Sequence, residues 1–532
     1  MIFLQVLYEN GIILTMEQAA QAQALLIEDG VIRAVGTQEE VKAAACQQVV
    51  RVDLHGAALL PGFIDAHSHF SGYAMSFLQA SVEEAVSFDE ITAAIQQFIR
   101  ARNIPAGQWV VVNGLDQTRL EEQQIPDRRV LDRASQEHPV VLVHQSGHTG
   151  VFNSMALDKL GITVETASPK GGRIEQKGGR LTGYMEEEAF VAFLKQVPMP
   201  SMQELLNAYQ KAQRRYASFG ITTIQEGLLA EQLIPLYQTL LSSGLLQLDL
   251  VAYVDIESCS GILRQFQGHI KHKRNHLKIG GYKTFLDGSP QARTAWVRAP
   301  YQSNSGNRPY YGYGTLTNQR LAEQMKKAAV SKTQLLAHCN GDAACQQYLT
   351  VLEETERMFP QFSDLRPVMI HAQLLGEDQL PAVKRLGVIP SFFVGHVYHW
   401  GDIHRKNFGE QRAAGLSPAK QALEHGVLFT FHQDSPVIEP DMMETVWCAV
   451  NRRTKSGVKL GDGIPVEEAL KAVTIHAAYQ YFEEEQKGSL KPGKLADLVI
   501  LDQNPLTVDP MSLRDIKVLE TIKEGKTIYR AE

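Results

Sequence analysis

The chain has 532 residues, of which 44% are hydrophobic and 21% charged, a balance typical of folded globular proteins. This length exceeds the size at which one hydrophobic core keeps growing, so we expect one large domain with smaller ones attached. The formal net charge of -7 argues against nucleic acid as a partner. The sequence contains no run of about 20 apolar residues that would indicate a membrane span.

Cysteine usage indicates the compartment. The five cysteines show no disulfide or metal-binding spacing, and the N-terminal segment lacks the features of a signal peptide. We therefore expect a reducing, cytoplasmic location. A homo-oligomer is possible. Cys339 directly follows a histidine, but successive strand residues face opposite ways, which favours a packing role over a ligand role.

Both ends of the chain carry short strand patterns. Asn10-Gly11 and Asp29-Gly30 separate apolar runs and predict hairpin turns, because both turn residues must reach positive φ. A similar pattern of two strands surrounds Gly525. Neither end has enough apolar area to fold alone, so we expect residues 1–58 and 485–532 to form one small β-sandwich.

Residues 59–484 alternate strand patterns with amphipathic helical patterns. The eight expected strands are Leu59–Ile64, Ile221–Glu226, Leu248–Tyr253, Ile279–Phe285, Gln334–Ala337, Pro367–Ile370, Gly387–Phe393 and Leu428–Asp434. This repetition predicts an α/β fold, a closed parallel (β/α)8 barrel of the TIM type, with its chemistry at the carboxyl ends of the strands.

Residues 70–200 interrupt this repetition. They contain two further strand patterns, Trp109–Asn113 and Val140–His144, and a Gly-rich stretch ending at Gly179 that predicts a hairpin turn, not a phosphate-binding loop. The segment is too long for one strand-to-helix connection. We expect an inserted domain after the first strand that acts as a lid and supplies substrate contacts.

Residues that can bind metal follow the expected strands. His67 and His69 end the first apolar run, and an extended backbone points both imidazoles to the same side. The other candidates are Lys283, His338, His371 and Asp434. A single His-x-His pair is common in proteins without a metal, but candidates at five strand ends indicate a metal centre at the rim of the barrel.

Several motifs resemble those of a known family. The metal-dependent amidohydrolase superfamily has motifs similar to Leu60–His69, His338–Ala344, His371–Gln373, Asp434–Val437 and Gly488–Asp497. Its YtcJ-like branch, which includes N-substituted formamide deformylases, has motifs similar to Phe285–Ser289, Gly147-His148, Asn153-Ser154 and Ala156-Leu157. The resemblance covers nearly the whole chain, and it implies a barrel with a flanking β-sandwich and a two-metal centre bridged by carboxylated Lys283.

The resemblance implies a zinc-dependent hydrolase that cleaves a C–N bond of the amide or N-substituted formamide type in a small molecule. One Zn²⁺ ion would be bound by His67 and His69, and the second by His338 and His371. Asp434 would bind a metal and accept the proton of the water that attacks as hydroxide. If Lys283 were instead paired with Asp287 or a substrate carboxylate, we would expect a single metal.

Five residues are candidates for substrate contacts, namely His396 and His399 after the seventh strand, Tyr282, Arg293 and His148. Asp342, four residues after His338, is expected to orient a ligand or cap a helix.

Two other functions stay open. A mononuclear aminohydrolase that deaminates a heterocycle is disfavoured, because that chemistry is usually associated with His-x-x-Glu after the fifth strand, where this chain reads His338-Cys339-Asn340-Gly341. A non-catalytic regulatory protein with the same fold would have been indicated by lost ligands. Metal content separates the three, with two zinc ions per chain, one, or none.

Overall fold

The computed structural model of the protein describes residues 5–18, 20–117, 119–144, 147–302 and 308–532. The chain forms two compact units, one of Met1–Ser71 with Ala212–Glu532 and the other of Gly72–Lys211. Among the helices of the described residues, none is both long and apolar enough to cross a membrane.

The first unit contains a parallel sheet of eight strands that pair in chain order. The strands are Phe63–Ile64, Ile221–Leu229, Asp249–Asp255, Leu277–Phe285, Gln334–Cys339, Val368–His371, Ile389–Phe392 and Thr430–Phe431. Beyond the two edge strands, the backbone N–H of Asp434 donates to the His67 carbonyl at 3.2 Å, and that of His69 donates to the Ser435 carbonyl at 2.8 Å. The sheet is therefore curled, with its edges close at the carboxyl end.

The run Leu59–Ile64 was expected to be one strand, and this was wrong. Ala58–Pro61 belongs to another sheet, and only Phe63–Ile64 joins the parallel one. Gly62 lies between them, where a Cβ atom would be 2.5 Å from the Thr222 side chain. A glycine is needed because the chain passes so close to the neighbouring strand.

Helices follow most strands of this sheet. They are Met202–Ser218, Ile234–Ser243, Ser260–Gln265, Asn318–Val330, Asp342–Met358, Leu380–Arg385, His396–Phe408, Glu410–Ala414, Ala419–Glu424, Met442–Asn451, Val466–Ala472 and Ile475–Gln480. The strands are buried on both faces, as parallel strands covered by helices are. Thr317 illustrates how a helix begins, since its hydroxyl accepts the Arg320 N–H at the first turn.

The strands from the ends of the chain form two sheets. In spatial order, one contains Val31–Gly36, Ala24–Glu28, Gln5–Glu9 and Val50–Asp53. The other contains Lys526–Arg530, Val518–Lys523, Leu498–Leu501, Ala58–Pro61, Ile12–Leu14 and Gln21–Ala22. Leu498–Leu501 pairs antiparallel with Ala58–Pro61, so both ends contribute to one sheet. Side chains from both sheets, including Leu25, Leu59 and Leu498, share one buried apolar cluster.

The predicted turns had different outcomes. Asp29-Gly30 joins two antiparallel strands with φ angles of 48° and 83°, and this hairpin is confirmed. The C-terminal hairpin around Gly525 is also confirmed. The hairpin at Asn10-Gly11 was wrong, because the flanking strands Gln5–Glu9 and Ile12–Leu14 belong to different sheets. The chain crosses from one sheet to the other there.

The second unit has a mixed sheet of its own. In spatial order its strands are Gly172–Lys177, Arg180–Glu186, Thr149–Phe152, Val140–His144, Val110–Leu115 and Ala80–Ser81. Its helices are Phe88–Arg102, Arg128–Ala134, Ser154–Lys159 and Glu187–Leu194. The two strands around Gly178-Gly179 pair antiparallel, which confirms the hairpin predicted for the Gly-rich stretch.

Buried charges connect the third strand of the parallel sheet to the C-terminal segment. Asp249 accepts from Lys487 and, at 2.9 Å, from Lys523. Lys523 also donates to Asp497 at 2.7 Å, and Lys487 lies 3.0 Å from Glu483. Burial alone would raise the pKa of Glu483, but Lys487 and Lys278 lower it to about 2.

We expect Lys487→Met to lower the free energy of unfolding by about 3 kcal/mol, because two buried carboxylates each lose one cation. The loss is at the low end for a broken buried ion pair, since Lys523 still contacts Asp249 and Lys278 still contacts Glu483. Since the pKa of Glu483 is lowered in the folded state, its share of stability is present above its ordinary value of 4.5 and is lost as pH falls toward 2. Urea unfolding at pH 7 measures the change. Lys491→Met, at an exposed lysine of the same segment, should stay within about 0.5 kcal/mol of wild type; equal losses would contradict the prediction.

Candidate metal centre

Asp434 lies among three histidines at the carboxyl end of the parallel sheet. Its Oδ1 is 3.5 Å from Nε2 of His67 and 3.4 Å from Nε2 of His69, while Oδ2 is 3.9 Å from Nε2 of His371. Lys283 Nζ lies 3.3 Å from the same Nε2 atom of His67. Five of the six predicted ligands therefore meet around one carboxylate.

His338 completes the group. Its ring centroid is 4.6 Å from that of His371. Its Nε2 lies 3.2 Å from the Gly288 carbonyl, which can only accept a hydrogen bond. The same Nε2 atom lies 3.0 Å from the Asn340 side-chain nitrogen. All six side chains, which are far apart in the sequence, come together in the structure.

Two of these residues have an uncommon backbone conformation. His371 has a φ of 71° and Asp434 a φ of 56°. Both lie in the left-handed backbone region that residues other than glycine rarely adopt. His371 is the last residue of the strand Val368–His371, and Asp434 lies three residues beyond the strand Thr430–Phe431, so both conformations occur where the chain leaves the sheet. Such strain is concentrated at functional sites, and its presence at two predicted ligands supports a functional role.

Burial shifts the protonation of the whole group. It lowers the pKa of His69 to about 4 and that of His338 to about 3, with a further decrease from the Lys283 charge. Burial also lowers the pKa of Lys283 to about 7 and raises that of Asp434 to about 7. The imidazoles are therefore neutral at physiological pH, as metal binding requires.

These residues fit a divalent metal ion. Oδ1 of Asp434 is buried and has no hydrogen-bond partner among the described residues, although two imidazole nitrogens face it. Burying a carboxylate oxygen in this way is costly unless a cation binds it. Neutral imidazoles and a carboxylate are ligands that Zn²⁺ prefers.

Sequence reasoning missed the side chains that contact the candidate ligands at the imidazole nitrogen that does not face Asp434. The His432 Nε2 atom lies 3.1 Å from Nδ1 of His371, and its own Nδ1 lies 2.9 Å from the Ser391 hydroxyl. Gln225 contacts Nδ1 of His67 through its side-chain oxygen. His432 had a signal in the sequence, two residues before Asp434. Gln225 had none, because a strand glutamine carries no characteristic spacing.

Of the substrate candidates, His396 and His399 lie on the helix after the seventh strand. His396 is buried, with Nδ1 3.1 Å from Nε2 of His404, and its ring is 4.6 Å from that of Phe393. The Phe393 ring is in turn 6.3 Å from that of His371. One aromatic ring therefore separates His396 from a predicted metal ligand. His399 lies further along the helix, and its Nε2 is 2.9 Å from a Glu444 carboxylate oxygen.

Of the other substrate candidates, Tyr282 is not brought to this group. Tyr282 precedes Lys283 on an extended strand and faces the opposite side, where the Lys327 Nζ lies 5.6 Å from its ring. The Arg293 guanidinium lies 5.4 Å from the Tyr301 ring. His148 belongs to the second unit and lies 3.1 Å from a Glu187 carboxylate oxygen.

Two carboxylates near the group have structural partners. Asp287 accepts the backbone N–H groups of Trp296, Asn340 and Gly341 at 3.0, 2.9 and 2.7 Å. Asp342 begins the helix Asp342–Met358 and accepts from the Arg298 side chain at 3.0 Å. Asp287 therefore holds backbone amides, and the alternative in which it pairs with Lys283 has no contact to support it.

Comparison with known proteins agrees with this geometry. Residues 50–529 match the family model described as the amidohydrolase family. The chain is 28% identical to an N-substituted formamide deformylase of Arthrobacter pascens, over 96% of this chain and 95% of the relative. It is 26% identical to the putative amidohydrolase YtcJ of Bacillus subtilis strain 168, over 99% of both chains.

A solved structure extends this comparison. An uncharacterized metal-dependent hydrolase from Pyrococcus horikoshii OT3 is 25% identical, with a TM-score of 0.78, over 95% of this chain and 99% of that one. The protein is thus a hydrolase with an α/β fold built on a curled parallel sheet. The chain belongs to the amidohydrolase family, in its YtcJ-like branch.

Proposed function

We propose that this protein is a zinc-dependent hydrolase that cleaves the C–N bond of a small amide or N-substituted formamide. The observation that carries the proposal is the convergence of six side chains, Asp434 among them, with neutral imidazoles facing its carboxylate. The similarity over almost the whole chain to an N-substituted formamide deformylase supports the substrate type.

The ligands would divide between two Zn²⁺ ions. One ion would be bound by His67 and His69, and the second by His338 and His371. Lys283 would bridge the ions as a carbamate. Its neutral amine, favoured by burial, would attack CO2, forming an N–C bond, breaking one C–O π bond and releasing one proton, so that a neutral amine becomes an anion with two oxygens.

The ions would supply hydroxide at neutral pH and polarise the scissile carbonyl. Asp434 would then accept the proton of the attacking water on a carboxylate oxygen and donate it to the leaving amine nitrogen. The raised pKa of Asp434 suits this exchange, because a group that titrates near the working pH can both take and return a proton. His396 and Phe393 would contact the substrate beside His371.

The same proposal extends to the architecture. The curled sheet would be a complete (β/α)8 barrel within residues 59–484, and the two end sheets would form a β-sandwich of residues 1–58 and 485–532. Residues 70–200 would be an inserted domain. The buried cluster shared by Leu25, Leu59 and Leu498 supports the β-sandwich, since the two faces of a β-sandwich enclose one core.

Metal content tests the proposal directly. We expect about two zinc ions per chain in protein prepared with zinc, and hydrolysis of members of an amide and formamide panel that is lost on chelation and restored by zinc. Elemental analysis and release of amine are the measurements. One ion with ammonia release from heterocycles would favour the mononuclear aminohydrolase, and a metal-free chain without activity would favour a regulatory protein.

A further inference from the structure

Gln225, on the strand Ile221–Leu229, has a side-chain amide whose orientation is fixed by its partners. Its Nε2 lies 2.7 Å from the Ala66 carbonyl and 2.8 Å from the Tyr481 hydroxyl. That hydroxyl donates its own hydrogen to the Asp65 carbonyl at 2.7 Å. Both partners must therefore accept, so the NH2 group faces them and the amide oxygen faces Nδ1 of His67.

This orientation determines which nitrogen of His67 can bind a metal. An amide oxygen can only accept, so Nδ1 of His67 carries a hydrogen. In a neutral imidazole the lone pair is then on Nε2, the atom that lies 3.5 Å from Asp434 and 3.3 Å from Lys283. We infer that Gln225, held by Tyr481, is a positioning residue that keeps His67 in the metal-binding tautomer and ring orientation. The inference rests on the proposed metal centre.

The structure offers a matched control in Gln480. Like Gln225, it is fully buried, and its Nε2 donates to the same Ala66 carbonyl at 2.8 Å. Its oxygen accepts from the Thr430 hydroxyl at 2.8 Å. Its recorded hydrogen bonds involve no predicted metal ligand. Replacing either glutamine removes a buried amide from the same layer of the structure, but only the Gln225 change releases an imidazole.

The experiment measures zinc affinity by competition with a chromophoric chelator, on the full chain, for wild type and the variants Gln225→Leu, Gln225→Asn, Tyr481→Phe and Gln480→Leu. We expect Gln225→Leu to weaken zinc binding about 10- to 100-fold, as loss of a partner of a ligating histidine does. Gln225→Asn keeps a polar amide that is too short to reach His67 and should weaken binding similarly. Tyr481→Phe should have a smaller effect, because the Ala66 carbonyl still orients the amide.

Thermal unfolding of the metal-free proteins separates positioning from folding. If Gln225→Leu does not fold, Gln225→Asn provides the comparison. Wild-type zinc affinity in the folded Gln225 variants, or an equal loss in Gln480→Leu, would overturn the inference while the metal centre stands. Failure of the wild type to bind zinc would overturn the proposed function, and this inference with it. Weakened binding confined to the Gln225 and Tyr481 variants supports the positioning role.

Discussion

Lys283→Ala is expected to lower kcat/KM by at least about a thousandfold and to reduce the bound zinc from about two ions per chain to one or fewer. The side chain is buried, and its amine lies 3.3 Å from a histidine nitrogen. An ammonium in this position would repel two divalent ions, whereas a carbamate would offset their mutual repulsion. Removing it takes away the bridging ligand.

Two further measurements separate a carbamate from a simple lysine cation. Lys283→Arg keeps the positive charge but cannot be carboxylated, so we expect it to be as inactive as Lys283→Ala. A short carboxylic acid such as acetate can occupy the space left by alanine and supply two oxygens, so it should restore part of the activity of Lys283→Ala alone. Substantial activity in Lys283→Arg, or in Lys283→Ala without added acid, would refute the bridging role.

The sequence was sufficient for most strands of the parallel sheet and for bringing the six candidate ligands together, because both have local signals. The eight strands of the parallel sheet are short apolar runs, and their ligands follow at the carboxyl ends, where a parallel sheet brings distant residues together. His338 and His371 are 33 positions apart in the chain, yet their rings lie 4.6 Å apart. Strand order alone accounts for that.

The residues that the sequence could not reveal depend on packing between distant segments. The amide of Gln225 can orient His67 only because Tyr481 and Ala66 contact it. No spacing in the sequence predicts those contacts. The failed hairpin at Asn10-Gly11 has the same cause, since a turn motif does not say which sheet the next strand joins.

Asp434→Asn is expected to lower kcat/KM by at least about a thousandfold with little change in the folded structure. Asparagine has nearly the same shape, but its amide cannot accept the proton of the attacking water or carry a negative charge. It also presents an NH2 group or a neutral oxygen to the histidine nitrogens that now lie 3.4–3.5 Å from Oδ1. Zinc affinity should therefore fall together with turnover.

Asp441 provides the matched control for this change. It lies seven residues further along the chain and caps the helix Met442–Asn451, accepting the Glu444 N–H at 2.9 Å. Asparagine caps helices about as well as aspartate, so Asp441→Asn should keep wild-type turnover and zinc content. Steady-state kinetics and elemental analysis on both variants measure the difference. If Asp434→Asn retained turnover close to that of Asp441→Asn, the proton would have another acceptor, and the carboxylate at the centre of the six side chains would be structural.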